Sequence, residues 1–280
     1  MKTLLFGLMA LWVFSANAAR VDSVTVISAA MNAPVKTLVI VPDAVIFHPA
    51  QNYPVIYLLH GYDGNEKQWI TTKPDLPQIA DEQGVIFVCP DGKNSWYLDS
   101  PLDTLSKYET FISMELVAYV DAHYPTLVGR EYRAITGLSM GGHGALYNAF
   151  RHKDVFGAVG STSGAVDIRQ RGSNYGLVNL LGDVSANREN WESRSVHKQI
   201  ELIENGDLAI YFDCGVSDFC FPLNEALNCA LWEKGIDHEY TTRQGNHNHA
   251  YWNDAIDYHI LFFCKFFNRN TTLDIEVKNL

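Results

Sequence analysis

Hydrophobic and polar positions fall in blocks along most of this chain, and the blocks alternate between two periods. VIYLLHG (55–61) and VIFVCPD (85–91) are continuous apolar runs, the pattern of strands covered on both faces. YETFISMELVAYVDAHY (108–124) instead spaces its apolar residues as a helix does, and it stops before Pro125. Two earlier runs, VDSVTVISA and VKTLVIVP, read as an antiparallel strand pair. YRAITG (132–137) is a further strand leading into GLSMGGHGAL, from which GGHGALYNAFRH continues as a helix. FGAVGSTSG (156–164), LAIYFDCG (208–215) and HEYTTR read as later strands, with a polar insertion over 165–196. NEALNCALWEKG reads as a helix closed by Gly235, and AYWNDAIDYHILFFCKFF as the last helix. About eight strands, most joined by helical crossovers, predict an α/β fold: a mostly parallel sheet with helices on both faces.

Composition narrows the picture only a little. The chain has 280 residues, 47% of them hydrophobic, and a formal charge of −11, which argues against a nucleic-acid partner. MKTLLFGLMALWVFSANA combines a cationic start at Lys2, an apolar core and a small-x-small ending, the pattern of a cleaved signal peptide over residues 1–18. That reading leaves 19–280 as one domain, secreted or periplasmic. The apolar run is too short to span a bilayer comfortably, so no stable membrane anchor is expected. The five cysteines are no disulfide scaffold; one bridge among Cys214, Cys220, Cys229 and Cys264 is compatible with an oxidising compartment.

The candidate chemistry centres on Ser139. Strand, then G-L-S-M-G, then helix is the arrangement of a nucleophile elbow, in which Gly137 and Gly141 leave room for a tight turn. A serine hydroxyl needs a base, and in this topology the acid and then the histidine follow later in the chain. The loop after LAIYFDCG offers Asp218, favoured over Asp213, which lies within the strand. After the last strand, QGNHNHAYW offers His247 in the loop itself, while His249 falls in the first helical turn with Asn248 as a candidate N-cap. His247 and His249 as two metal ligands is the disfavoured alternative, because no third ligand stands nearby. The oxyanion donors expected from this topology are the backbone N–H groups of Tyr62 and Met140, with His60 a brace of the loop. Trp96 and Tyr97 in SWYLDSP either wall a substrate pocket or pack their loop against the helix that follows.

YLLHGYDGNEKQW, PDGKNSWYLDSP, KYETFISMELVAYVDAHYP, GLSMGGHGAL, CGVSDF and GNHNHAYW together resemble the esterase D family of α/β-hydrolases, over roughly residues 22–267. That family includes S-formylglutathione hydrolases, tributyrin-type, feruloyl and acetyl-xylan esterases, and mycolyltransferases. The resemblance implies an α/β-hydrolase fold and a serine carboxylesterase. Ser139 would be nucleophile, Asp218 acid and His247 base, with Tyr62 and Met140 at the oxyanion hole. Relatives often carry H-x-W-x-x-W at the base. Here His249 replaces the first Trp and Trp252 is kept, so His249 joins Trp96 and Tyr97 as a candidate substrate contact. The expected substrate is a short-chain acyl or carbohydrate-linked ester, with Tyr175 and Trp191 of the insertion shaping the alcohol side. No metal or organic cofactor is implied. Acyl transfer to a carbohydrate or lipid acceptor, and carbohydrate binding without catalysis, are the competing readings.

Overall fold

The computed structural model describes residues 19–47, 50–171 and 175–278, so the signal-peptide pattern over 1–18 lies outside the described residues. Eight strands form one sheet in the order β1-β2-β4-β3-β5-β6-β7-β8. They are β1 (Arg20–Ser28), β2 (Ala33–Val41), β3 (Val55–Leu59), β4 (Ile86–Pro90), β5 (Arg133–Gly137), β6 (Ala158–Thr162), β7 (Ala209–Gly215) and β8 (Glu239–Arg243). β1 pairs antiparallel with β2, and β2 antiparallel with β4; every later pairing is parallel. The apolar blocks and the antiparallel opening pair are thus where the periodicity puts them.

Strand period two splits the core into two layers. Val55, Tyr57 and Leu59 of β3 face one layer, which the helices Met140–Arg151 and Phe221–Glu233 cover. Ile56 and Leu58 face the other, packed by Trp69, Leu76 and Ala80 and by Ile256, Ile260 and Phe263 of the long helix His249–Lys278. Because both faces are covered, β3, β4, β5 and β6 are buried at every position, which explains their lack of alternation.

Three local expectations change. The helix predicted over 108–124 is not uniform: Tyr108–Thr110 and Val117–His123 are α-helical, but Phe111–Leu116 between them is a π-helical stretch. The last helix runs on to Lys278. The insertion is less polar inside than its composition suggests, since Leu177, Leu181, Trp191 and Val196 are all buried. None of the five cysteines is bridged, and Cys89, Cys214 and Cys220 are buried. No helix among the described residues is long and apolar enough to cross a membrane.

Candidate active site

Ser139 sits between β5 and the helix Met140–Arg151 at φ +55°, ψ −114°, a strained position for a residue with a side chain. Two glycines make the turn possible. A Cβ on Gly137 would lie 2.4 Å from the Gly141 carbonyl, and one on Gly141 would lie 2.2 Å from the Leu59 oxygen. The strain is held by main-chain bonds: Ser139 N–H donates to Thr162 O at 3.0 Å, while Ser139 O accepts from Ala165 and His143 N–H.

Three loops at the C-terminal ends of β5, β7 and β8 bring the predicted residues together. His247 Nε2 is 2.8 Å from Ser139 Oγ, and His247 Nδ1 is 2.9 and 3.0 Å from the Asp218 oxygens. The Asp218 side chain is fully buried and also accepts Cys220 N–H at 2.7 Å, which fixes its orientation. Phe219 and Trp252 pack on the His247 ring at 4.2 and 5.1 Å between centroids. With Nδ1–H donated to Asp218, the ring presents a lone pair at Nε2 to the serine hydroxyl, the arrangement that can accept its proton.

Other histidines near the elbow are committed elsewhere. His143 is fully buried, its ring Nε2 meets Arg194 O at 2.9 Å, and burial pushes its imidazole down to about 4. Gly92 N–H donates to His60 Nε2 at 2.8 Å, so the other ring nitrogen carries the proton and donates to Gly61 O at 2.7 Å. His60 therefore braces the loop that carries Tyr62. Among the described residues neither the Tyr62 nor the Met140 N–H has an acceptor within the chain. Asp218, Cys220 and His247 offer ligand atoms within 4.8 Å of one another. Their bonding fits a proton relay better than an ion, because His247 Nδ1 and the Asp218 oxygens already satisfy each other.

A cavity of about 300 Å³ opens beside Ser139, lined by Gly61, Tyr62, Gln68, Tyr175, Phe219, His247 and Trp252 among others. A larger groove of about 490 Å³ lies on the other side of the base loop, against Asn246, Asn248, Asp254 and Tyr258, and Ser139 is not in its wall.

The three proposed substrate contacts are placed elsewhere. Trp96 and Tyr97 are buried at successive left-handed positions, both at φ +56°. Trp96 Nε1 donates to Tyr175 O, and Tyr97 OH donates to His60 O, so their polar ends are spent on loop packing rather than on the cavity wall. His249 turns to Thr72, 2.7 Å from its Oγ1, and Asn248 caps the helix by accepting Tyr251 N–H. Of the two insertion aromatics, Tyr175 reaches the cavity, whereas Trp191 is buried and donates to Gly182 O. Asp213, the rejected acid, is a buried hub. It accepts from Thr162, Tyr251 and Arg243 and pairs with His259. Burial opposes its charge, but the His259 and Arg243 contacts outweigh that and hold its carboxyl below the ordinary range. Gln68 and Phe219 are cavity residues that pattern reading missed; the only signal was their place inside NEKQW and VSDFCF.

The chain is similar to known esterases along most of its length. An acetyl esterase of Caldicellulosiruptor saccharolyticus is 28% identical over 221 residues, covering 74% of this chain and 82% of its own. An S-formylglutathione hydrolase of Bos taurus is 25% identical, covering 77% and 84%. A solved ferulic acid esterase superposes with a TM-score of 0.76 at 27% identity, over 89% of this chain and 99% of its own. Residues 28–263 match the Esterase family ("Putative esterase"); the chain belongs to that family and is a carboxylic-ester hydrolase of the α/β-hydrolase fold.

Proposed function

We propose that this protein is an exported serine esterase that works through an acyl-enzyme on small esters. The observation that carries this is the continuous relay Ser139 Oγ to His247 Nε2, and His247 Nδ1 to Asp218, at 2.8 to 3.0 Å. Ser139 Oγ attacks the ester carbonyl carbon while His247 Nε2 takes its proton. The carbonyl oxygen becomes an oxyanion met by the Tyr62 and Met140 N–H groups. The tetrahedral intermediate collapses, His247 returns the proton to the leaving alcohol oxygen, and the acyl group stays on Ser139. Water then repeats the sequence with His247 as base and releases the acid. Asp218 keeps the imidazole in the required tautomer throughout.

The cavity supports a short or single-ring acyl group. About 300 Å³ is at the small end for ligand sites. Its aromatic wall of Tyr62, Tyr175, Phe219 and Trp252 suits acetyl to hydroxycinnamoyl esters better than long chains. The acetyl and ferulic acid esterase relatives favour the same range. Export rests on the pattern of Met1 to Ala18. The test is a panel from acetyl to long-chain and feruloyl esters, run with Ser139→Ala and with fluorophosphonate labelling. Ser139→Ala should lose on the order of 10⁴–10⁶ in kcat and all labelling. A folded Ser139→Ala protein with undiminished hydrolysis would overturn the reading.

A further inference from the structure

The loop that carries the Tyr62 N–H runs His60-Gly61-Tyr62-Asp63-Gly64, with two glycines in five residues, so its own sequence does little to stiffen it. Side chains hold it instead. His60 Nδ1–H donates to Gly61 O at 2.7 Å, and Gly64 N–H donates to the same oxygen at 3.0 Å. A trans peptide aims its N–H away from its C=O, so these bonds set the direction of the Tyr62 N–H. The preceding peptide is held at both ends: Gly61 N–H donates to Gln68 Oε1 at 2.7 Å, and His60 O accepts from Tyr97 OH at 3.0 Å.

Gln68 stands on a rigid base. It opens the short helix Gln68–Thr72, whose Trp69 Nε1 donates to Leu59 O at the end of β3. Thr72 meets His249 at 2.7 Å, and Lys73, just past the helix, pairs with Asp257 at 2.9 Å. The helix is thereby tied both to the strand before the oxyanion loop and to the helix that starts two residues after His247. Packing leaves the loop little slack: a Cβ on Gly61 would meet Leu138 Cδ1 at 2.6 Å, and one on Gly64 would meet Gln68 Oε1 at 2.5 Å.

We propose that Gln68 is a positioning residue of the oxyanion hole: its amide oxygen is the one acceptor for the Gly61 N–H, and by pinning it keeps the Tyr62 N–H aimed at the developing charge above Ser139. The inference rests on the serine-nucleophile reading. It differs from a role as mere cavity wall, which Gln68 also forms, in what it does to catalysis. A wall residue changes how well substrate binds. A residue that aims an oxyanion donor changes transition-state binding and leaves ground-state binding nearly alone.

Gln68→Leu and Gln68→Met remove the acceptor while keeping bulk and helix formation. Each would be measured for kcat and KM on a short-chain ester, for the inhibition constant of a small boronic acid, and for the rate of fluorophosphonate labelling. The boronic acid forms a tetrahedral adduct with the serine oxygen and places an oxygen where the oxyanion would sit. Losing one oxyanion donor outright costs about 10²–10³, so mis-aiming one of two should lower kcat by about 10–100-fold. The boronate inhibition constant should rise by the same factor, KM should stay within about threefold, and the pH midpoint of the rate should not move. Should Gln68→Leu fail to fold, Gln68→Met carries the same expectation, since it is unbranched and of similar length. A kcat within twofold of the parent would overturn the proposal, as would a rise confined to KM with boronate affinity unchanged. Absence of labelling in the parent protein would instead overturn the serine-nucleophile reading, so the two failures are distinguishable.

Discussion

His247→Ala and His249→Ala should differ by orders of magnitude although the two residues are separated by one position. His247 Nε2 lies 2.8 Å from Ser139 Oγ; of the nearby histidines, His60 has both ring nitrogens engaged with main-chain groups, and fully buried His143 has its Nε2 on Arg194 O. Removing His247 leaves no group placed to take the serine proton, so kcat should fall by about 10⁴ or more, roughly 5.5 kcal/mol of transition-state stabilisation. His249 makes one side-chain hydrogen bond, to Thr72 Oγ1, from an exposed position. Such a bond is worth about 0.5–1.5 kcal/mol net, so even if all of it were expressed in the transition state kcat could fall by no more than about tenfold. The assay is kcat and KM for both variants on one short-chain ester, with thermal melting to establish that each is folded. If His249→Ala abolished turnover while His247→Ala remained near normal, the relay described above would be wrong, though the fold would stand.

Two further outcomes follow, one from an ion-pair cluster at the far end of the helix Met140–Arg151 and one from the cavity wall. Glu109 is buried and would be raised by burial alone, but hydrogen bonds from His152, Arg151 and Tyr147 outweigh this and hold its carboxyl at about 2. A depressed folded value means stability present above the unfolded value near 4.5 and lost as pH falls toward 2. Between pH 7 and pH 3 the parent should therefore lose about 2 kcal/mol more than Glu109→Gln in urea unfolding, and equal losses would contradict the pairing. Trp96→Phe removes the bond that holds Tyr175 O at the cavity mouth, at a cost of about 1 kcal/mol. KM should rise severalfold with kcat nearly unchanged in steady-state assays; a fall in kcat alone would refute a purely wall-bracing role.

Much of this protein was legible along the chain because the determinants are local. Continuous apolar runs mark strands covered on both faces, and Ser139 and Asp218 each follow a largely apolar strand, while His247 follows the polar edge strand β8; all three lie at the end where a parallel sheet opens its crevice. Strand identity and loop order are thus encoded in a few residues at a time. Direction and pairing are not. Asp213 turned out to be a buried hub because its partners Thr162, Arg243, Tyr251 and His259 come from β6, β8 and the last helix. Trp96 and Tyr97 face inward because two successive left-handed backbone positions turn them toward Tyr175 and His60. His249 meets Thr72, 177 residues away, and Gln68 reaches the loop that carries Tyr62 through Gly61 and the helix that Trp69 anchors. Periodicity specifies which face of an element is apolar; only the packed sheet and its covering helices decide which distant donor meets which acceptor, since each of those bonds exists only once the whole chain is folded.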